Sequence, residues 1–124
     1  MFDHVSLKVH DFGKSLAFYT VALAPLGYEA QHVDEAGKSA GFGPKGHVGL
    51  WIAEGKPRAS VHLAFQSPNR ASAARFFEAA LRSGGKDNGK PGLRPDYAKD
   101  YYAAFVLDPD GNNVEAVTHV STEA

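Results

Sequence analysis

Cysteine is absent from the 124-residue chain, which excludes disulfides, thiolate metal ligands and a cysteine nucleophile and suits a reducing compartment. A surplus of charge is missing too: 13 Lys and Arg stand against 14 Asp and Glu, so no overall field steers the protein towards nucleic acid or an anionic membrane. No apolar run approaches the roughly 18 residues of a spanning helix, and no basic segment followed by an apolar one opens the chain. Nucleic acid and membrane are therefore not expected partners, and the cytoplasm is the expected location. What is present, 44% apolar and 22% charged residues, suits a single domain over residues 1–124 with an ordinary core.

The chain repeats itself. Displaced by 58 residues, His4 falls on His62, Leu7 on Phe65, Asp11 on Asn69, Phe18 on Phe76, Leu23 on Leu81 and Gly27 on Gly85, the mark of a duplicated unit. In each half an alternating strand, over residues 2–9 and 60–66, leads to an N-cap candidate, Asp11 or Asn69. The helix behind it carries Leu16, Phe18, Tyr19 and Leu23 in the first half, and Ala73, Phe76, Phe77, Ala80 and Leu81 in the second. Each helix ends at glycine, Gly27 or Gly84-Gly85, as a left-handed cap requires. Three strands follow in the first half, over residues 28–33, 38–42 and 48–52. The second half holds an insertion at 86–100, read as a loop because residues 89–97 have two prolines, two glycines and no periodicity, before a strand at 101–107. Seven extra residues move the offset to 65, with Pro44 on Pro109 and Gly46 on Gly111. The expected fold class is α+β: two paired β-α-β-β-β units, residues 1–56 and 57–120, forming a curved mixed sheet around a concave site. One unit cannot cover both faces of its sheet, so two must pair, within one chain or by exchange between two. The short connection at residues 53–58 permits either closure, and a homodimer is the expected assembly.

The stretch at residues 107–117 carries the chemistry. Asp108-Pro109-Asp110-Gly111 is turn chemistry between strand-forming runs, hence a hairpin. Glu115 then sits between Val114 and Ala116, where a charge needs a partner. Alternation sets His4, Ser6 and Lys8 opposite Val5, Leu7 and Val9, sets His62, Ala64 and Gln66 opposite Leu63 and Phe65, and sets Asn113, Glu115 and Val117 opposite Val114 and Ala116. Where the polar faces curve into one surface, His4, His62 and Glu115 converge, and two imidazoles with a carboxylate hold an octahedral metal while leaving positions open. The plain alternative for Glu115 is a salt bridge at a strand end. The repeat places Leu50 where a fourth ligand would stand, with Glu54 beyond the strand, so three protein ligands are expected. Trp51, of opposite parity to Leu50, reads as a core residue, and His10, His32, His47 and His119 read as surface or turn residues.

With its paired units, a His near the start of each half and a terminal Asp-Pro-Asp-Gly-Asn followed by Glu115, the chain resembles the vicinal oxygen chelate superfamily over essentially its whole length. That superfamily includes glyoxalase I, extradiol dioxygenases, fosfomycin-resistance thiol transferases, methylmalonyl-CoA epimerase and the bleomycin-resistance proteins. The resemblance implies a glyoxalase-like fold and a divalent metal (Fe, Mn, Zn or Ni) on His4, His62 and Glu115. It further implies an enzyme of dioxygenase, transferase or lyase/isomerase type acting on a small oxygenated, chelating substrate. In glyoxalase I the position matched by Leu50 is a ligating Glu tied to proton transfer, so true glyoxalase I activity is disfavoured and no catalytic base is assigned. The metal-free members imply the alternative, a protein that sequesters a small molecule. Substrate contacts are expected from Lys8 and Gln66 on the strands, and from Arg94, Tyr97 and Tyr101 beside the insertion, since long loops in compact domains are often functional. Arg94 would hold an anionic group; the tyrosines would supply hydrogen bonds or, equally, pin the loop to the sheet.

Overall fold

The computed structural model describes residues 1–121, and among these the β-α-β-β-β pattern occurs twice. The first unit comprises β1 (Val5–Val9), α1 (Phe12–Leu23), a 3-10 turn (Ala24–Leu26), β2 (Glu29–Asp34), β3 (Ser39–Gly43) and β4 (Leu50–Glu54). The second comprises β5 (His62–Gln66), α2 (Arg70–Arg82), β6 (Lys86–Leu93), β7 (Tyr102–Leu107) and β8 (Asn113–Thr118). Each unit forms its own four-stranded mixed sheet, in the orders β1-β4-β3-β2 and β5-β8-β7-β6. The β1–β4 and β5–β8 pairs are parallel and the others antiparallel. No helix among the described residues is long and apolar enough to cross a membrane.

Both helices start as their caps dictate. Asp11 Oδ1 accepts from the Lys14 N–H at 3.0 Å, and Asn69 Oδ1 from the Ser72 N–H at 2.8 Å. After α1 the chain passes through the 3-10 turn to Gly27 at φ +90°, a conformation that favours glycine. Phe18, Tyr19 and Leu23 of α1 and Ala73, Phe76, Phe77 and Ala80 of α2 join the inward faces of both sheets in one apolar cluster. Each helix lies on its own sheet and the two helices pack together, so the opposite face of each sheet is left to carry polar groups. Leu81, read as part of the α2 stripe, falls at its margin and is 37% exposed.

The Asp108–Asn112 turn is locked by its first residue. Asp108, 4% exposed, accepts from the backbone N–H groups of Asp110 and Asn112, from Asn112 Nδ2, and from the Tyr19 hydroxyl on α1 at 2.5 Å. Asn112 Oδ1 in turn accepts from the Val61 N–H just before β5. The turn thus ties α1, β5 and the β7–β8 hairpin together.

Two readings from the sequence are corrected here. Most of the segment expected to be a loop at 86–100 is strand β6, paired antiparallel with β7 and interrupted at Gly89 and between Gly89 and Gly92. Those irregularities erase the period-2 signal, and Pro91 is tolerated because β6 is an edge strand. The true loop runs over residues 94–101 and is closed by the Arg94 N–H donating to the Tyr101 carbonyl at 2.7 Å. The second correction concerns the fourth ligand position. Ser6 pairs with Trp51 in the first sheet as Ala64 pairs with Glu115 in the second, so the counterpart of Glu115 is Trp51, not Leu50. Leu50 matches Val114 and is core, 3% exposed, whereas Trp51 lies half-buried on the outward face against Gly41 and 5.8 Å from the His32 ring. The absence of a carboxylate there stands unchanged.

Candidate functional site

The outward face of the second sheet gathers the polar residues that alternation assigned to it. The register places Ala64, Glu115, Phe105 and Gly89 in one row across β5, β8, β7 and β6. Glu115 is only 1% exposed although it lies on the face away from the helices. Its cover is chemical: His62 Nε2 lies 2.8 Å from Oε1, and the Tyr101 hydroxyl donates to Oε2. A carboxylate only accepts, so Nε2 carries the proton in this arrangement. Burial, followed by the bond to Glu115, pushes the Tyr101 phenol up to about 12 and keeps it a donor. Tyr101→Phe removes one of the two bonds to a buried carboxylate; a loss of about 1–3 kcal/mol in urea unfolding is the expected result.

Around this centre stand aromatic walls. Phe105 lies 6.3 Å from the His62 ring, and Tyr97, Tyr101 and His119 meet edge to face at 5.1 Å along the other side. The Arg94 guanidinium lies over Phe105, 5.3 Å from its centroid. Phe105 is not singled out by the sequence, and His119, read there as a surface or turn residue, instead packs on Tyr101; parity with Tyr101 and with Glu115 respectively is the available signal.

His4 is not part of this group. It is exposed, bonded to Asp3 at 2.7 Å, and shares with Gln66, Tyr28 and Leu50 a cleft of about 260 Å³ between the units. The set of the two units accounts for this. The His10 N–H just past β1 donates to Asp110 in the turn before β8, while His4 just before β1 shares its cleft with Ala64, Phe65 and Gln66 of β5, and His62 is not among the residues lining it. Within one chain, no group of three His, Cys, Asp or Glu among the described residues could hold a metal ion. Of the three expected ligands, one chain by itself brings together His62 and Glu115 and leaves His4 apart. Lys8 lies in a separate cleft with Arg58, Val61 and Asn112, and Gln66 uses its carbonyl to accept from the Tyr28 hydroxyl at 2.8 Å. Of the expected substrate contacts, Tyr101 bonds Glu115 directly, while Arg94 and Tyr97 adjoin through Phe105 and Tyr101.

His62 and Glu115 nevertheless fit a metal as two of three ligands, provided the ion takes the place of the Nε2 proton between them. Adjacent ligand atoms on an octahedral ion, each about 2.1 Å from it, lie about 3 Å apart, and the two atoms here are 2.8 Å apart.

Residues 1–116 match the family model described as the Glyoxalase/Bleomycin resistance protein/Dioxygenase superfamily. The chain belongs to this superfamily. Among solved structures it is similar to a glyoxalase/bleomycin resistance protein from Albidiferax ferrireducens T118, at 28% identity and TM-score 0.77, covering 94% of this chain and 97% of that one. A glyoxalase-related enzyme from Fulvimarina pelagi shares the fold at 17% identity and TM-score 0.72, with 94% and 86% of the two chains covered. So does a glyoxalase/bleomycin resistance protein/dioxygenase family enzyme from Burkholderia phytofirmans PsJN, at 13% identity and TM-score 0.71, with 95% and 98% covered. Among curated proteins no match is found.

Proposed function

We propose that this superfamily member binds a small oxygenated molecule at a divalent metal held by His62 and Glu115 of one chain and His4 of a second copy. The observation that carries the reading is the buried Glu115 carboxylate on an outward sheet face, fixed by His62 on one oxygen and Tyr101 on the other. The Tyr101 bond is of the outer kind that orients a ligating carboxylate and raises its affinity, while an ion would replace the Nε2 proton between His62 and Oε1. The exposure of His4, in a cleft whose lining does not include His62, is what a ligand donated to a second copy requires. A homodimer with two such shared sites follows from the symmetry of exchange.

A divalent ion bound there would act as a Lewis acid on a chelating substrate. His62 and Glu115 would hold that ion, Phe105 and Tyr97 would bound the face on which the substrate lies, and the Tyr101 hydroxyl holds a proton against Glu115 Oε2. With Trp51 at the counterpart of Glu115, the Glu base of a glyoxalase I reaction is missing, which leaves dioxygenase-, transferase- or lyase-type chemistry.

A second reading has its own observation. Both oxygens of Glu115 are satisfied within the chain, so the carboxylate is stable without an ion, as a metal-free protein that sequesters small molecules would require. Metal analysis of protein purified without chelators or a histidine tag separates the two. About one equivalent per chain is expected in the wild type and less than about a tenth in His62→Ala, since loss of one of three ligands removes most affinity. Less than about a tenth in both favours the metal-free reading.

A further inference from the structure

The site has a second pole. Arg94 is half-buried and pairs with no carboxylate among the described residues. Its Nη1 donates to the Gly92 carbonyl at 2.9 Å and its Nη2 to the Lys90 carbonyl at 2.7 Å, which fix the plane of the fork above Phe105. The remaining N–H groups have no partner among the described residues. Two glycines shape this seat. A Cβ at Gly92 would lie 3.3 Å from Arg94 Nη1, and one at Gly89 would lie 3.3 Å from Nη2 and 2.9 Å from the Phe105 ring. Gly89 also takes φ +151°, which disfavours any other residue, and both glycines lie where the β6–β7 register slips. Bulges of this kind re-aim side chains beside functional sites. A guanidinium held this way loses little freedom when it meets an anion.

From this geometry we infer that the ligand of the site carries a carboxylate, seated on Arg94, joined to a flat apolar body that lies against Phe105, Tyr97 and Tyr101. The charge count selects carboxylate over phosphate. Arg94 offers a single positive charge, and the cation nearest to it in sequence, Lys90, is already taken by Asp87 at 2.9 Å. A planar fork matches a planar carboxylate with two parallel bonds. The Phe105 ring adjoins both the guanidinium, 5.3 Å from its centroid, and the His62 ring, 6.3 Å away, so a benzene-sized body on this face reaches from the anion seat towards the Glu115 centre. This inference rests on the reading of that face as a small-molecule site, but it does not depend on the metal.

Benzoate and benzamide, equal in shape and different in charge, are the probes. They are titrated by ligand-observed NMR into full-length protein in its native assembly, after stripping with chelator so that no ion can bind the carboxylate itself. Benzoate is expected to bind at least about tenfold more tightly than benzamide to the wild type. The preference should vanish in Arg94→Met, which keeps the stem over Phe105, and survive in part in Arg94→Lys, which keeps the charge without the fork. Equal affinities in the wild type, a result that needs no variant, would overturn the inference; so would a preference unchanged in Arg94→Met. A preference in stripped protein that never takes up metal supports the carboxylate seat while contradicting the metal reading, so the two fail separately.

Discussion

Asp108→Ala is expected to lower the unfolding free energy by roughly 3–5 kcal/mol, the largest single loss outside the apolar core. The carboxylate accepts from the Tyr19 hydroxyl, from two backbone N–H groups and from Asn112 Nδ2, and both Asp108 and Asn112 are 4% exposed. Its removal leaves several buried donors without acceptors, each costing about 1–3 kcal/mol, partly relieved by water. Tyr19→Phe removes only one of these bonds and should cost about 1–2 kcal/mol. Urea unfolding of the three proteins checks the order. The alkaline limb adds a signature. Burial first, and then the adjacent Asp108 charge, hold the Tyr19 phenol well above its ordinary value. A raised value means that the folded state keeps the proton, so the stabilisation is complete below about pH 10 and is lost as pH climbs from there towards the folded value. The gap between wild type and Tyr19→Phe should be flat at neutral pH and narrow above about pH 10.

Glu115→Gln and His4→Ala should both remove bound metal, to below about a tenth of an equivalent, for opposite structural reasons. Glu115 is buried and bonded to His62 and Tyr101, so its amide isostere disturbs the chain's own hydrogen bonds and should shift thermal unfolding of metal-free protein. His4 is exposed and, among the described residues, its ring hydrogen-bonds to Asp3 alone, so its loss should leave metal-free stability within about 0.5 kcal/mol of wild type. Equal metal loss with unequal stability change is the pattern of one site built from a buried ligand and a donated one.

Much of this is legible in the chain before any coordinates. The caps at Asp11 and Asn69, the glycine stop at Gly27, the hairpin and the pairing of His62 with Glu115 follow from local chemistry and strand parity. The rest depends on relations between strands that no local pattern encodes. Matching Pro44 to Pro109 suggested an offset of 65, yet Phe42 pairs with Leu50 as Val106 pairs with Val114, so the two hairpins are equal in length and lie 64 apart. The prolines simply occupy different turn positions, and one residue of slip exchanges Leu50 for Trp51, hence core for outward face. Strand β6 hid behind Gly89, Pro91 and Gly92, and the two glycines are also the ones that seat Arg94. The separation of His4 from His62 comes from how the two units are set together, through the packing of α1 and the 3-10 turn on α2, a contact that neither unit specifies alone.

Donation of His4 from one chain to the other is read out by subunit mixing. His4→Ala and Glu115→Gln dimers, each devoid of metal, are dissociated together, reassembled and assayed for bound metal. If each site combines His4 of one chain with His62 and Glu115 of the other, every mixed dimer regains one intact site, and random exchange restores about a quarter of the wild-type metal. No metal regained in the mixture, alongside a wild type that binds about one equivalent, would contradict it.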